Sequence, residues 1–419
     1  MVGVILAATV AAALGLLTIP LVYPSLGLGG HSSRSRGRRR RPSSSPPLQL
    51  PTGEPADGIP GLIGNTPVFR LKSISEYTGC DVLAKAEFLN PGGSSKDRIA
   101  LYLIERAEKE GLIKPHIGCC IFEGTSGSTG ISLAMIARAK GYKCHIVMPD
   151  DIAREKSDLL VKLGATVERM PPCSIVDANH FVRVARRRAD EYTEANRPEN
   201  GGNGATGYFV DQFENTWNFE AHFTRTAPEI YHQVPEIDVF VHGSGTGGTL
   251  AGVTRFLKPR VPHLKVYLAD PQGSGLANKV NYGVMFSSTE KEGTRRRHQV
   301  DTIVEGIGLN RLTRNFAYLF PPSPAGECLL DGAVTVTDQD SVYMSRWLMA
   351  NDGLFVGSSS AINCVAALRV AKRLGPGHTI VTVLADSGQR HITKLWNDDF
   401  LRSRSLDSGT PQSLDQFFS

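Results

Sequence analysis

The sequence lacks the cysteine patterns of a metal-binding or disulfide-stapled protein. Its 419 residues include seven cysteines, an odd number, and no two of them have C-x-x-C spacing. The adjacent pair Cys119 and Cys120 is flanked by apolar residues, which is typical of a buried strand. We therefore expect neither structural zinc nor a disulfide framework, and the pattern favours a reducing compartment.

Excess positive charge is scarce outside one short segment. The formal net charge is +5, but six arginines fall at positions 34, 36 and 38–41. Without them the chain is close to neutral, so nucleic acid is not an expected partner. The length allows two domains with a large core, and the sequence shows no internal repeat.

The first segment of the chain lacks charge altogether. Residues 2–28 are mostly Ala, Val, Leu, Ile and Gly, a run about long enough to cross the ~30 Å hydrocarbon core as a helix. A secretory signal usually has a basic residue before its apolar run, and none is present here. A mitochondrial presequence is amphipathic and Arg-rich from its start, and this segment is not. Because the arginines follow it, the positive-inside rule predicts a single-pass transmembrane signal-anchor with the body in the cytosol.

The membrane is predicted from the same features. Moderate hydrophobicity followed by arginines is similar to anchors of the mitochondrial outer membrane, and the ER membrane is the first alternative. A cleaved targeting segment, with the body in the mitochondrial interior, is the second. Residues 29–57 are rich in Ser, Arg and Pro, which predicts a disordered basic linker that can lie against the lipid bilayer.

From residue 58 onward, short apolar strands alternate with amphipathic helices, which predicts an α/β fold with largely parallel sheets. The predicted strands are 68–71, 82–89, 119–123, 144–148, 166–170, 208–210, 239–242, 265–269 and 379–384. The predicted helices include 97–110, 130–140, 153–163, 175–194, 218–232, 249–256, 338–351, 359–374 and 391–396. We expect a catalytic region over 58–402, divided into 58–215 and 216–402, and a flexible tail over 403–419, in which Phe417 and Phe418 are candidates to dock on the body.

One lysine stands in an unusual place within this body. Lys96 follows the small-residue turn N-P-G-G-S-S and begins a predicted helix. A lone lysine there is usually a solvated charge. Two Gly/Ser/Thr loops, 124–130 and 243–249, favour another interpretation, because such loops cradle anions. One lysine with two anion-cradling loops indicates a lysine-bound phosphorylated cofactor.

The loop at 243–249 follows an apolar run and opens a helix, where converging N–H groups and the helix dipole favour a phosphate. Its G-x-G-x-x-G pattern also matches a dinucleotide fingerprint. Asp270, 22 residues past Gly248, is a possible ribose partner, so this alternative stays open on the motif alone. The loop at 124–130 is able to bind a substrate carboxylate or simply to cap a helix.

Taken together, these motifs resemble the pyridoxal-phosphate enzymes of fold type II, the cysteine synthase and cystathionine beta-synthase family. The resemblance covers about residues 58–398 and is nearest to the membrane-anchored, mitochondrial cysteine synthase branch of fungi. Its pieces are I-G-N-T-P at 63–67, N-P-G-G-S-S-K-D-R at 90–98, T-S-G-S-T-G at 125–130, D-Q-F-E-N at 211–215, G-T-G-G-T at 245–249, E-G-I-G at 305–308 and D-S-G at 386–388. It implies a tryptophan synthase beta-like fold of two α/β domains with pyridoxal 5'-phosphate between them, and a homodimer.

The resemblance also assigns roles to individual residues. Lys96 is the catalytic residue, which binds the cofactor covalently and takes the substrate α-proton. The cofactor-binding residues it implies are Lys96, Ser128, Gly245, Thr246, Gly247, Gly248, Thr249 and Ser387. The substrate-carboxylate residues it implies are Thr125, Ser126, Gly127, Thr129 and Gln212. A neutral serine at the pyridine nitrogen, the place of Ser387, suits β-elimination better than transamination.

The sequence departs from the family pattern at three places. Ser128 stands where asparagine is usual, so contact with the cofactor's ring hydroxyl is lost or bridged by water. Residues 215–218 read N-T-W-N where N-P-A-N is usual. The stretch 278–299, with arginines at 295–297, is longer than in compact cysteine synthases. It either lines the entrance or is a solvated charge run.

The implied reaction is cysteine synthesis, in which O-acetyl-L-serine and sulfide give L-cysteine and acetate, with no metal. The nearest alternative is a cystathionine beta-synthase-type reaction on serine and homocysteine. The sequence shows no regulatory module after Phe400 and no heme-binding extension, which leans away from the animal form of that enzyme. A serine/threonine dehydratase is disfavoured by the Thr-Ser-Gly loop. A non-catalytic membrane-tethered scaffold, favoured only by Ser128, is a further alternative.

Overall fold

The computed structural model describes residues 55–125, 127–152, 154–287, 302–321 and 327–418. The predicted anchor at 2–28 lies outside these ranges, as does nearly all of the predicted linker. Within them, no helix combines the length and the apolar character that a membrane crossing requires.

The strands of the described ranges form two sheets. They are β1 (Val68–Arg70), β2 (Asp81–Ala86), β3 (Cys120–Gly124), β4 (Lys143–Pro149), β5 (Thr166–Met170), β6 (Gly207–Phe209), β7 (Val239–Gly243), β8 (Lys265–Pro271), β9 (Gly332–Val336) and β10 (Thr379–Leu384). The larger sheet has the order β1-β2-β10-β7-β8-β9, and the smaller one has the order β5-β4-β3-β6. Only the β1–β2 pair is antiparallel among these strands.

Helices connect the parallel strands and cover both sheets. They are α1 (Lys72–Thr78), α2 (Lys96–Lys109), α3 (Ser128–Lys140), α4 (Arg154–Lys162), α5 (Phe181–Ala195), α6 (Trp217–Ala221), α7 (Ala227–Gln233), α8 (Gly248–Leu257), α9 (Leu276–Tyr282), α10 (Arg314–Ala317), α11 (Asp338–Asp352), α12 (Ser358–Leu374) and α13 (Asp398–Ser403). A π-helical turn, His222–Thr226, joins α6 to α7. Every residue of β3 and β7 is buried, because helices lie on both faces of these parallel strands.

The parallel α/β architecture predicted from the sequence is confirmed, with differences in detail. The predicted helix at 391–396 is wrong, since these residues form turns. One local and one long-range contact hold them there: His391 lies 3.0 Å from Asp386, five residues before it, and the Trp396 indole donates to the Val356 carbonyl at 3.0 Å. Strand β9, at the edge of the larger sheet, was not predicted.

The two sheets do not divide the chain at a single point. Strands β1 and β2 come from the N-terminal part, yet β2 pairs along its whole length with β10. Residues 55–419 form one compact unit. The division near residue 215 therefore stays a prediction, and the chain crosses between the sheets after β2 and again after β6.

The predicted flexible tail is wrong for residues 414–418, which form a 3-10 turn on the body. Leu414 and Phe417 are each 1% exposed, within the core beneath the larger sheet. Arg369 of α12 donates to the Phe417 carbonyl at 2.9 Å. Burial of two large apolar side chains outweighs the polar sequence around them.

A buried ionic cluster ties β2 to α2 and α7. The Arg98 guanidinium contacts Glu87 at 2.6 Å and Glu229 at 2.7 Å, and the Lys85 ammonium contacts Glu229 at 2.8 Å. Burial alone raises the pKa of Glu87, but Arg98 and Lys85 bring it below its ordinary value. The charged forms therefore depend on one another. Removing one member would leave the remaining charges buried without a full set of partners.

We expect Arg98→Met to lower the free energy of unfolding by about 3–5 kcal/mol, because Glu87 and Glu229 would lose their main partner inside the protein. Chemical denaturation of the purified protein measures this change. The matched control is Arg70→Met, which removes an exposed ion pair with Asp81 at 3.0 Å. The control should cost no more than about 1 kcal/mol. Equal losses in both variants would contradict the assignment.

Candidate active site

A cavity of about 780 Å³ opens at the carboxyl ends of the parallel strands of both sheets. Its wall comes from the segments that follow β2, β3, β7 and β10, together with the loop 302–311. Carboxyl-end crevices of parallel sheets are where α/β proteins bind ligands. The three glycine- and serine-rich stretches singled out in the sequence all contribute to this one wall.

Lys96 lies in the wall as the first residue of α2. The turn before it is fixed to the end of β10, because the Ser95 amide donates to the Ala385 carbonyl at 2.9 Å and Ser94 forms a β-bridge with Asp386. Burial lowers the pKa of Lys96, although Asp386 and Glu87 partly oppose that shift. A larger fraction of neutral amine makes this lysine a better nucleophile and base.

The loop between β7 and α8 forms an anion cradle opposite the lysine. A side chain at Gly245 would place its Cβ 2.1 Å from the Gly306 carbonyl oxygen. Gly247 has a φ of +89° and packs against Phe316. Glycine is therefore required at both positions, and the amides at the start of α8 are available to a phosphate.

The predicted phosphate-contacting residues do not all reach the cavity. Gly245, Thr246, Gly247 and Thr249 line it. Gly248 lies behind them, where an added Cβ would be 2.0 Å from the side-chain oxygen of Asn218. A side chain at this position would therefore point toward α6, so only the backbone of Gly248 belongs to the cradle.

The turn between β3 and α3 forms the second polar part of the wall. Thr125, Gly127, Ser128 and Thr129 line the cavity, and Gln212 joins them from the segment after β6. The Thr129 hydroxyl donates to the Gln212 side-chain oxygen at 2.7 Å. The structure thus brings together these residues for one small polar ligand. Ser126 lies outside the described residues.

Ser387 sits beside the cavity without lining it, although Ala385, Asp386 and Gln389 do line it. Its hydroxyl accepts a hydrogen bond from the Gln389 amide at 3.3 Å and caps a short 3-10 turn. The predicted contact of Ser387 with the cofactor ring therefore stays a prediction.

The structure adds functional candidates that the sequence reasoning did not assign. Asp386 Oδ2 lies 3.0 Å from His391 Nε2 in the cavity wall. Lys156 of α4 pairs with Glu305, and Lys394 pairs with the same carboxylate at 2.8 Å. Asp386 is next to the predicted Ser387 and Glu305 begins the E-G-I-G motif, so proximity to a motif was the available signal.

Several buried polar atoms of the wall have no hydrogen-bond partner. They belong to His242, Asn310, Asp386 and Arg390. Buried polar groups are almost always paired in folded proteins, so unpaired ones concentrated around one cavity indicate a polar ligand. Burial and the charge of Lys96 lower the pKa of His242 to about 4, so its imidazole is neutral near pH 7.

The alternative that the loop 243–249 binds a dinucleotide loses the residue expected to bind the ribose. Asp270 is fully buried, and its carboxylate accepts the Ala277 amide at 2.7 Å, at the start of α9. It does not belong to the cavity wall. Of the stretch expected to line the entrance, residues 288–299 lie outside the described ranges.

Comparison with known proteins identifies relatives over most of the chain. The profile of the family described as pyridoxal-phosphate dependent enzyme matches residues 59–386. Cysteine synthase 2 of Emericella nidulans is 55% identical over 90% of this chain and 89% of its own length. A Saccharomyces cerevisiae protein, provisionally named a mitochondrial cysteine synthase, is 51% identical over 82% of this chain and 85% of its own.

A solved structure shares the same fold. The O-acetylserine dependent cystathionine beta-synthase of Helicobacter pylori has a TM-score of 0.64 and 32% identity. The match covers 80% of this chain and 97% of that protein. The predicted fold type II architecture is thereby confirmed for the α/β body.

The cavity fits pyridoxal 5'-phosphate. It offers a buried lysine of lowered pKa, a glycine cradle at a helix start and unpaired polar atoms between them. These are the groups that a phosphorylated aldehyde with a polar ring requires. The sequence prediction of this cofactor is confirmed, and the chain belongs to the family of pyridoxal-phosphate dependent enzymes.

Proposed function

We propose that this chain is a cysteine synthase that converts O-acetyl-L-serine and sulfide to L-cysteine and acetate. The observation that carries the proposal is the convergence of Lys96, the β7–α8 cradle and the β3–α3 turn on one cavity. The cysteine synthases among its relatives, at 51–55% identity over most of the chain, support the same reaction.

Each part of the wall has a separate task in this reaction. The amides of residues 245–249 hold the phosphate at the start of α8. Thr125, Ser126, Gly127, Thr129 and Gln212 hold the substrate carboxylate. Ser387 is the partner of the cofactor's ring nitrogen, and a water bridges Ser128 to the ring hydroxyl. When bound, pyridoxal phosphate supplies an electron sink for the charge that develops at the substrate Cα.

Lys96 moves the proton in both halves of the reaction. Its amine takes the α-proton of O-acetylserine while acetate leaves from Cβ. Sulfide then forms the new C–S bond at Cβ, and the Lys96 ammonium returns the proton to Cα. The lowered pKa of Lys96 favours the first transfer, because the amine must be free to accept a proton.

A second candidate is β-replacement with a larger thiol. It is favoured by the name of the Helicobacter pylori protein, an O-acetylserine dependent cystathionine beta-synthase. The wall here also carries an apolar stretch that includes Ile152, Leu159, Ile175 and Ile392, some of them partly exposed. Such a wall suits a carbon chain longer than sulfide.

We infer further that the N-terminal segment attaches the enzyme to a membrane. Residues 2–28 form the proposed anchor, and the arginines after them face the cytosolic side of the mitochondrial outer membrane. The name of the Saccharomyces cerevisiae relative supports a mitochondrial location. The ER membrane and the mitochondrial interior are the other locations. The assembly proposed from the family resemblance is a homodimer.

Lys96→Ala should lower the rate of cysteine formation by at least about 10³-fold, because it removes both the nucleophile and the base. The rate of cysteine formation measures the loss of the base, and the visible absorption of the bound cofactor measures the loss of the nucleophile that binds it. Lys109→Ala, at the exposed far end of the same helix, is the matched control and should behave as wild type. Full biological function of Lys96→Ala would instead support the scaffold alternative.

The donor and the nucleophile are separated by a substrate comparison. With purified holoenzyme, O-acetylserine plus sulfide should react at least about tenfold faster than serine plus homocysteine, a difference of about 1.4 kcal/mol in the barrier. Acetate leaves more readily than hydroxide, which is the physical reason. Faster formation of cystathionine from O-acetylserine and homocysteine would favour the second candidate over sulfide.

Deletion of residues 2–28 should release the protein from membranes. The full chain is expected to remain in the membrane pellet after carbonate extraction, whereas the deletion variant should be in the supernatant. Protease added to intact mitochondria should degrade the body of the full chain. A body protected until the outer membrane is opened would contradict the cytosol-facing topology.

A further inference from the structure

A carboxyl group lies directly behind the substrate-carboxylate site. Glu123, on β3, is fully buried one residue before Gly124 ends the strand. Its Oε1 accepts a hydrogen bond from the side-chain amide of Gln212 at 3.4 Å, and Gln212 in turn accepts from the Thr129 hydroxyl at 2.7 Å. A chain of three side chains thus connects Glu123 to the cavity.

The surroundings of Glu123 keep its proton on. Burial, followed by the charge of Asp211, raises the pKa of Glu123 to about 8, although the amides of Gln212 and Asp211 oppose the shift. The neighbouring titratable groups are Cys144 on β4 and Tyr208 on β6, both with pKa values raised chiefly by burial. Arg186 of α5 is paired with Asp211 at 2.6 Å.

A protonated carboxyl is suited to this position. Its carbonyl oxygen accepts from Gln212, which fixes that amide with its oxygen toward Thr129. The backbone amides of Gln212 and Asp211 lie against the same buried carboxyl group. Ionisation of Glu123 would place a negative charge next to a site for a carboxylate, and like charges in a buried site oppose each other strongly.

We propose that Glu123 is a positioning residue of the amino-acid site: its protonated carboxyl orients Gln212 for the substrate carboxylate, and loss of that proton expels the substrate. The inference rests on the proposed function in one respect, since it takes Thr129 and Gln212 to be carboxylate-binding residues. It adds that amino-acid affinity depends on the protonation of a residue that does not touch the substrate.

The test uses the holoenzyme and L-alanine, an amino acid without a leaving group. Binding is followed by the visible absorption of the bound cofactor between pH 6.5 and 9.5, for wild type and Glu123→Gln. Glutamine reproduces the neutral acid but does not ionise. The ratio of the two dissociation constants cancels the titration of the ligand itself. We expect a ratio near one at pH 7 and about tenfold weaker binding by wild type at pH 9, where most Glu123 is ionised.

Asp211→Asn is the second variant, and it distinguishes an electrostatic role of Glu123 from a simple structural one. Asp211 has a φ of +55°, a conformation that asparagine also adopts. Removing its charge lowers the pKa of Glu123, so the loss of affinity should begin at lower pH than in wild type. A purely structural role would weaken binding at all pH values without moving the onset.

L-Alaninamide, which lacks the carboxylate, is the matched ligand. The ratio of its dissociation constants for wild type and Glu123→Gln should stay near one throughout the pH range. A flat ratio with L-alanine, an unmoved onset in Asp211→Asn, or equal effects on the two ligands would each overturn the inference. If wild type bound L-alanine as expected but made no cysteine from O-acetylserine and sulfide, the proposed function would fail while the role of Glu123 stood.

Discussion

The pairing of β2 with β10 is the contact on which the active site depends. These strands are far apart in sequence, yet they pair in parallel over their full length, from Asp81 with Thr379 to Ala86 with Leu384. The pairing continues into the turn before Lys96, through the hydrogen bond from Ser95 to Ala385. The lysine is therefore held by the C-terminal part of the chain, the same part that supplies the glycine loop between β7 and α8.

Buried charge reinforces this junction. Lys85 belongs to β2, Arg98 to α2 and Glu229 to α7, so their ion pairs connect the two sides of Lys96 with the helix that follows the smaller sheet. Such pairs contribute little net stability when complete but are costly to break. They select one arrangement of these elements, and the position of Lys96 follows from it.

The sequence predicted what depends on local pattern and missed what depends on distant contacts. Strands β5 and β10 have the predicted bounds, since apolar runs between turn signals mark such strands. Motif order likewise brought Lys96, Thr129 and Gln212 to one site. No local pattern shows that Trp396 is held by the Val356 carbonyl, 40 residues away, or where in the core the docking Phe417 is buried. Likewise, the proton on Glu123 follows from complete burial, which a sequence does not display.

The loop 302–311 spans the cavity and is fastened at both ends by ion pairs. Glu305 meets Lys156 from α4 at one end, and Arg311 meets Glu214 at 2.5 Å at the other. Glu305 is also paired with Lys394, from the segment after β10, at 2.8 Å. One carboxylate thus joins α4, the loop and the segment after β10. Loss of either lysine alone would leave Glu305 with one cationic partner, so this part of the wall does not depend on a single ion pair.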